Sequence, residues 1–441
     1  MVLRPGWFPE YSPAEQLVFD EVKSIIEANY RQYGFAHIQT PAVEANTVLL
    51  AKNGEDAGKQ IFWLYGLAQG NDDTKDYALH FDLTVPFARY ILDREQELTF
   101  PFKRYQIQPV RRGERSQRGR FKEFWQSDID VIRRDEENRD ERQVPRNKVG
   151  KNLFYDAEML VVIARTLQDI IAKFLSNKPF TVHINNRYLL AWFFSQFDEK
   201  VLPQLYNLFD KYYKMWFDIF QKELSELVSP SDVEKIVSFV QSNFDRLDPN
   251  LVDNDLYHKG YQELQEVLHF VDGLNQEKKY AIVWDPCIIR GLDYYTGTVY
   301  ETLFDDDIAL GSISSGGRYE NLTGYINPKK SNYSWVGWSI WLSRMVYLIL
   351  ETMKPEQTTH TEYLFVHFSE TIKDILMIAN IFIKEGKNVE IYPSAEKLSK
   401  QFTYADKKWI PHVVIFGEGE KMLHRYKIKN MKTGEEQEIA L

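Results

Sequence analysis

The sequence predicts an α+β protein that ends in a smaller α/β module, and three observations carry that reading. In the first 187 residues, strand-like and helix-like patterns come in separate runs rather than in regular alternation. From 188 to 280 the pattern is helical almost throughout. Beyond residue 361, strands and helices alternate. These runs divide the chain into 1–187, a helical insertion at 188–280, a return to strands at 281–353, and a tail at 361–441.

Composition sets the outer bounds. The chain has 441 residues, 44% apolar and 27% charged, an ordinary balance for a globular protein with ample core. Cys287 is the single cysteine, which excludes an intramolecular disulfide framework and a cysteine-rich zinc site. The start lacks the apolar run of a signal peptide, and no eighteen-residue apolar stretch occurs, so a cytoplasmic protein without a membrane span is expected. A net charge of −10 argues against nonspecific coating of nucleic acid but leaves room for local basic patches.

Each element has its own signal. Ser12-Pro13-Ala14-Glu15 reads as an N-cap, a first-turn proline and a capping-box acid. Leu17, Val18, Val22, Ile25 and Ile26 then repeat at helical spacing until Gly34, and 35–41 reads as extended. Residues 77–79 and 84–91 frame a strand-to-helix passage. Residues 102–107 and 124–132 alternate as two strands of an antiparallel hairpin, the second with Gln126, Asp128 and Asp130 on one face. Residues 133–151 mix seven basic with five acidic side chains and read as a solvated loop. A periodic helix follows at 156–174 and a strand at 180–184. Strand character returns at 281–284, 297–304 and 309–314. Residues 353–361 read as a linker, and the tail alternates through 363–368, 371–384, 389–392, 395–407 and 412–416, closed by a hairpin near Gly434.

Chemistry concentrates in four places. Residues 103–122 carry eight basic side chains (Lys103, Arg104, Arg111, Arg112, Arg115, Arg118, Arg120, Lys122) against one acid, Glu114. Guanidinium groups bind phosphate in a two-pronged way, so this is either a phosphate clamp or a solvated basic loop. Arg290-Gly291-Leu292-Asp293-Tyr294-Tyr295-Thr296-Gly297 is either a small-ligand site or a structural turn. Gly316-Gly317-Arg318-Tyr319 reads as a turn. Residues 336–344 read as a glycine-led strand entering a helix, whose Arg344 is by default a surface residue. No P-loop is present.

These residues resemble the histidyl-tRNA synthetases, class II aminoacyl-tRNA synthetases, along nearly the whole chain. RGLDYYTGTVYE at 290–301 is similar to the histidine-specific signature, supported by LTVPFARY at 83–90 and GGRY at 316–319. Residues 33–44 resemble class II motif 1, the hairpin at 111–130 motif 2, and 336–344 motif 3. KLSKQFTYAD at 397–406 and residues 411–417 resemble the anticodon-binding domain of this group.

The resemblance implies an antiparallel sheet flanked by helices, with a helical insertion and a C-terminal α/β anticodon-binding domain. It implies a histidine–tRNA ligase using L-histidine, ATP with Mg²⁺, and tRNA-His, with no metal held directly by a protein motif, acting as a homodimer through motif 1, where Pro41 matches. Arg112 and Arg290 are the implied catalytic residues. Asp82, Thr84, Gln126, Asp130, Tyr294, Tyr295 and Tyr319 would hold histidine. Arg112, Glu114, Arg120, Phe124 and Arg344 would hold ATP. Arg115, Gln117 and Arg118 fall where the acceptor end of the tRNA would be met. Trp341 stands where motif 3 has a glycine under the adenine, Ser343 where it has an acid, His80 where the family has an arginine, and Trp409 where a glycine is common. Trp341, Ser343 and His80 keep a second reading open, an impaired paralogue that binds histidine or tRNA as a regulator. A bare RNA-binding module leaves Asp82 and Asp130 unexplained.

Overall fold

The computed structural model describes residues 5–51, 60–64, 76–113, 115, 117–134, 153–277, 280–289, 295–320 and 322–441. They fall into two compact units, one of residues 1–9 with 23–349, the other of residues 10–22 with 350–441. The strands of the first unit are β1 (Ala36–His37), β2 (Val43–Ala45), β3 (Trp63–Leu64), β4 (Tyr77–Leu79), β5 (Phe102–Arg111), β6 (Glu123–Arg134), β7 (Phe180–Asn186), β8 (Ala281–Trp284), β9 (Tyr295–Phe304), β10 (Ser314–Glu320) and β11 (Tyr333–Ile340).

Among the described residues, the main sheet runs β1-β5-β6-β11-β10-β9-β7-β8. The run from β5 to β7 is antiparallel throughout, as expected. Parallel pairs at the two edges, β1 with β5 and β7 with β8, make the whole sheet mixed. β2, β4 and β3 form a separate small sheet.

The predicted hairpin forms in full, with Arg104 opposite Asp130 and Gln108 opposite Gln126. The helix at Phe154–Phe174 is buried over most of its circumference, with Ala157, Leu160, Ala164, Leu167 and Ile171 on one side and Met159, Val162, Thr166 and Ile170 on others. Five α-helices fill Arg187–Phe194, Leu202–Asp210, Phe217–Leu227, Pro230–Val240 and Asp255–Leu274. Three of them start on a side-chain cap: Asn186, Ser229 and Asn254 each accept a backbone N–H from the first turn. No described helix is long and apolar enough to cross a membrane.

Two strand assignments are corrected. The extended segment at 35–41 pairs only over Ala36–His37. The strand expected at 309–314 is instead a 3-10 turn at Ile308–Leu310, and the strand starts at Ser314. A three-residue apolar run fits a single turn as well as a strand, so periodicity could not separate them. Gly316 and Gly317 are therefore not a turn but the middle of β10. A Cβ on Gly316 would lie 2.3 Å from the Gly337 carbonyl oxygen of β11, so glycine is what lets these strands approach.

Beneath the sheet, Phe87, Ala88 and Ile91 of the helix Thr84–Arg94 pack with Ile132, Tyr319, Leu322, Tyr333 and Trp335. This cluster fixes β6, β10 and β11 relative to the start of that helix, and all four elements contribute residues to the site.

The second unit contains β12 (Tyr363–His367), β13 (Val389–Ile391), β14 (His412–Phe416), β15 (Arg425–Asn430) and β16 (Glu436–Ala440), ordered β13-β12-β14-β15-β16. The first three are parallel and the last two form an antiparallel hairpin. Period-two alternation sends Phe365 to the helix Ile372–Lys384 and Leu364 and Val366 to the helix Leu398–Lys407, so both faces are covered. Trp409 follows that second helix at φ 55°, a left-handed conformation. Glycine adopts it without strain, so Trp409 stands where the backbone would favour a glycine.

Candidate active site

The site grows from the register of β6. Its period of two puts Gln126, Asp128 and Asp130 on one face, where all three are buried. They line one cavity of about 340 Å³ with Asp82, Thr84, Arg112, Tyr295 and Tyr319. Seven of the predicted residues, drawn from six elements or loops, thus meet in one place. Gln60, Ser315, Ser339 and Trp341 complete much of the remaining wall.

Asp130 is gripped from three sides. Its Oδ2 lies 2.6 Å from Nη2 of the fully buried Arg104 on the facing strand. Its Oδ1 accepts the Tyr319 hydroxyl. Gly337 passes directly beneath, so close that a Cβ there would sit 1.9 Å from the same Oδ1. Burial pushes the Asp130 carboxyl up to about 7, against the pull of Arg104. Asp82 accepts the Val85 N–H at 3.1 Å at the start of the helix Thr84–Arg94. Burial pushes it up to about 6, opposed by that hydrogen bond and by Arg112. Burial raises Asp128 as well. Unpaired negative charge in such a pocket is costly, and a cation entering it recovers that cost.

At the other end, Arg112 donates from Nε to the Phe81 carbonyl at 2.9 Å. Its guanidinium carbon lies 5.1 Å from the Phe124 ring and 5.6 Å from the Trp341 ring. Arg344 is buried, not on the surface as a lone helical arginine would be. Its Nε donates to the Gly119 carbonyl at 3.1 Å, Nη1 donates to the Ser312 carbonyl, and its guanidinium carbon lies 6.0 Å from the same indole. Two arginines 232 positions apart therefore flank one ring. Arg120, Phe124 and Arg344 stand outside the cavity lining. Arg290, Tyr294 and Glu114 lie outside the described residues.

Two of the departures from the motifs that this sequence resembles, Ser343 and His80, have local explanations. Ser343 accepts the Trp125 backbone N–H at 2.8 Å, tying β6 to the helix Leu342–Thr352. His80 is fully buried with Nε2 2.8 Å from the Pro109 carbonyl, and burial lowers its pKa, so it holds β5 as a neutral ring. Trp341 stands against Phe124, ring centroids 5.9 Å apart at 53°. A planar base stacked on both rings needs roughly twice the 3.5 Å contact distance, so none fits between them in this arrangement.

The basic run at 103–122 divides between structure and site. Lys103 pairs with Glu158 at 2.8 Å, Arg104 with Asp130, Arg111 with Glu123 at 2.6 Å, and Arg118 with Asp307 at 3.3 Å. Arg112 is the member that reaches the cavity. Arg115 and Gln117 are exposed, as is Arg118 beside its partner. Sequence reasoning assigned no role to Asp128 and counted Arg104 only as a member of the basic run. Asp128 was findable, since it alternates in phase with Gln126 and Asp130. Arg104 was not, because its role depends on which strand faces β6.

Comparison with known proteins agrees with this arrangement. A family model described as Histidyl-tRNA synthetase matches residues 193–345, and one described as Anticodon binding domain matches 365–441. The chain is 37% identical to the histidine–tRNA ligase of Clostridium tetani, over 99% of this chain and 95% of that protein. It is 35% identical to that of Clostridium acetobutylicum, over 99% and 97%. A crystal structure of histidyl-tRNA synthetase from Nostoc sp. PCC 7120 superimposes with a TM-score of 0.85 at 32% identity, covering 100% of this chain and 97% of that one. With likeness of this depth along its full length, added to the fold and the cavity, the chain belongs to the histidyl-tRNA synthetase family.

Proposed function

We propose that this protein activates L-histidine with ATP to histidyl-adenylate and passes the histidyl group to the 3′ end of tRNA-His. The observation that supports this most is the gathering of Asp82, Thr84, Gln126, Asp130, Tyr295, Tyr319 and Arg112 around one cavity. Buried carboxylates take up the α-ammonium. The tyrosine pair, with ring centroids 6.3 Å apart, receives the imidazole. A pocket of buried polar groups rejects an analogue lacking the ring nitrogens, because its own groups are then left unpaired.

In the first step an oxygen of the histidine carboxylate attacks the α-phosphorus of ATP and pyrophosphate leaves. Arg112, anchored on the Phe81 carbonyl, lies where it can hold the carboxylate beside the α-phosphate and stabilise the charge that develops. By family resemblance Arg290 shares that task, and Arg344, Arg120, Phe124 and Glu114 serve the nucleotide. Mg²⁺ supplies charge neutralisation on the phosphate oxygens, which carry it without a dedicated protein cage. Arg115, Gln117 and Arg118 are proposed for the tRNA acceptor end, and 361–441 for the anticodon. A tRNA substrate implies work in the cytoplasm. Motif 1 and its Pro41 imply a homodimer, which sedimentation tests.

The test is histidine-dependent exchange of pyrophosphate into ATP by the purified protein. Exchange supports the reading, and its absence overturns it. Trp341 beside Phe124 favours one alternative, a regulator that binds histidine but no nucleotide. Titration calorimetry with ATP separates the two.

A further inference from the structure

Strand alternation puts Arg318 on the face of β10 opposite Tyr319, outside the cavity lining, where it is 3% exposed. Its guanidinium takes the fully buried Asp156 in two prongs: Nε donates to Oδ1 at 3.2 Å and Nη2 donates to Oδ2. Asp156 sits in the first turn of the helix Phe154–Phe174, where the helix dipole favours a carboxylate. Its Oδ1 also accepts the Tyr300 hydroxyl at 3.1 Å. The chemistry proposed above makes no use of this pair.

The pair stands at a break in the sheet. From Ser314 to Gly317, β10 pairs with β9 in regular register, ending with Gly317 opposite Val299. A regular ladder would then set Gly297 opposite Tyr319, yet Tyr319 faces Tyr295. Between those two pairs β10 spends only Arg318, while β9 spends Thr296, Gly297 and Thr298. The bulge therefore brings an aromatic ring to where a glycine would have stood. That ring lies against Gly317, whose added Cβ would come within 2.8 Å of Tyr295 Cδ1. It meets the Tyr319 ring at 6.3 Å and 66°, and both rings line the cavity.

Arg318 is what the bulge closes over. A Cβ on Gly297 would lie 3.0 Å from Arg318 Cδ and 3.4 Å from its Cβ, so the arginine stem fills the space beside the extra residues. Asp156 holds one residue from each strand, Arg318 on β10 and Tyr300 on β9, and so ties the two strands together beside the bulge. A slip toward regular pairing would pull these bonds apart and strand a buried charge, which is costly.

We infer that Arg318 and Asp156 are positioning residues for the ring end of the amino-acid pocket: from the far face of the sheet they hold the bulge that sets Tyr295 opposite Tyr319. The inference rests on the ligase reading, which gives those tyrosines the imidazole, and extends it to two residues outside the cavity.

The test removes both charges together, because breaking a buried pair from one side leaves an unpaired charge, whereas replacing both partners does not. Arg318→Met with Asp156→Asn keeps the stem and keeps an acceptor for Tyr300. Calorimetry on the full chain compares L-histidine with its thiazolyl analogue, in which sulfur replaces the ring N–H. In the double variant, histidine binding is expected to weaken about tenfold or more and the preference for histidine over the thiazole to fall about fivefold or more, since a pocket that pairs both ring nitrogens owes its selectivity to their placement. A merely structural pair would weaken both ligands alike. That result, or unchanged histidine binding, overturns the inference. Should the double variant fail to fold, Gly297→Ala presses a methyl group on the Arg318 stem from within the bulge. The same fall in preference is then expected, and its absence overturns the inference equally. Wild-type protein that binds histidine but exchanges no pyrophosphate counts against the ligase reading alone, and wild-type protein that binds neither ligand overturns both.

Discussion

Gly337→Ala places one methyl group at the most crowded point of the site. The new Cβ would stand 1.9 Å from Asp130 Oδ1, where real contacts begin near 3.0 Å, so the carboxylate must retreat by about 1 Å. Retreat costs it the Tyr319 hydroxyl and stretches the 2.6 Å contact with Arg104. Losing a hydrogen bond to a charged group costs about 1.5–3 kcal/mol of stability, and the displaced carboxylate, out of place for the bound amino acid, is expected to raise the KM for histidine. The obstructing atom is a side-chain end rather than backbone, so the fold itself should survive with a lowered melting temperature. The assay is the KM for histidine in pyrophosphate exchange, with thermal unfolding alongside. A double-mutant cycle gives the sharper answer: on an Asp130→Ala background, Gly337→Ala should cost little further, because the clashing oxygen is gone. A Gly337→Ala variant with wild-type KM, or one whose penalty persists fully without Asp130, would refute the idea that Gly337 exists to make room for that carboxylate.

Two more outcomes are expected. Trp341→Gly removes the indole from beside Phe124 and should lower the KM for ATP several-fold in pyrophosphate exchange; a rise would mean the indole is itself a stacking surface for adenine. The carboxyls of Asp82 and Asp130, raised from the usual 3.8 to about 6 and about 7, stay protonated in the folded protein after the unfolded chain has lost those protons. Their contribution to stability therefore falls as pH rises from about 4 to about 7, and the empty protein should melt at lower temperature across that window. A bound ammonium favours the ionised carboxyls, so histidine binding at pH 6.5 should release protons. Calorimetry in buffers of different ionisation enthalpy reads that release, which should shrink in Asp130→Asn. Proton uptake, or release unchanged in the variant, would contradict the assignment.

Much of the site was legible residue by residue. Asp82, Thr84, Arg112, Gln126, Asp130, Tyr295 and Tyr319 could all be named from motif matches, and each lines the cavity. The errors have a common origin. Gly316-Gly317 passed for a turn because local chemistry cannot distinguish a glycine that bends the chain from one that lets another strand come close. Arg344 passed for a surface residue because the carbonyls that bury it, from Gly119 and Ser312, come from segments 225 and 32 positions away. The basic run passed for one unit because ion pairs with Glu158 and Asp307 are long-range facts.

Periodicity and caps determined by themselves much of the order of strands and helices and the face that Gln126, Asp128 and Asp130 share, and the resemblance of whole motifs pointed to the family. Those properties follow from the geometry of a single segment of chain. Only the tertiary structure decided that Arg104 neutralises Asp130, that Gly337 clears space for it, and that Arg112 and Arg344 both approach the Trp341 ring. Each of these depends on which segments become neighbours across the sheet, and in a mostly antiparallel sheet of distant strands the register is set by packing of the whole core rather than by any local pattern.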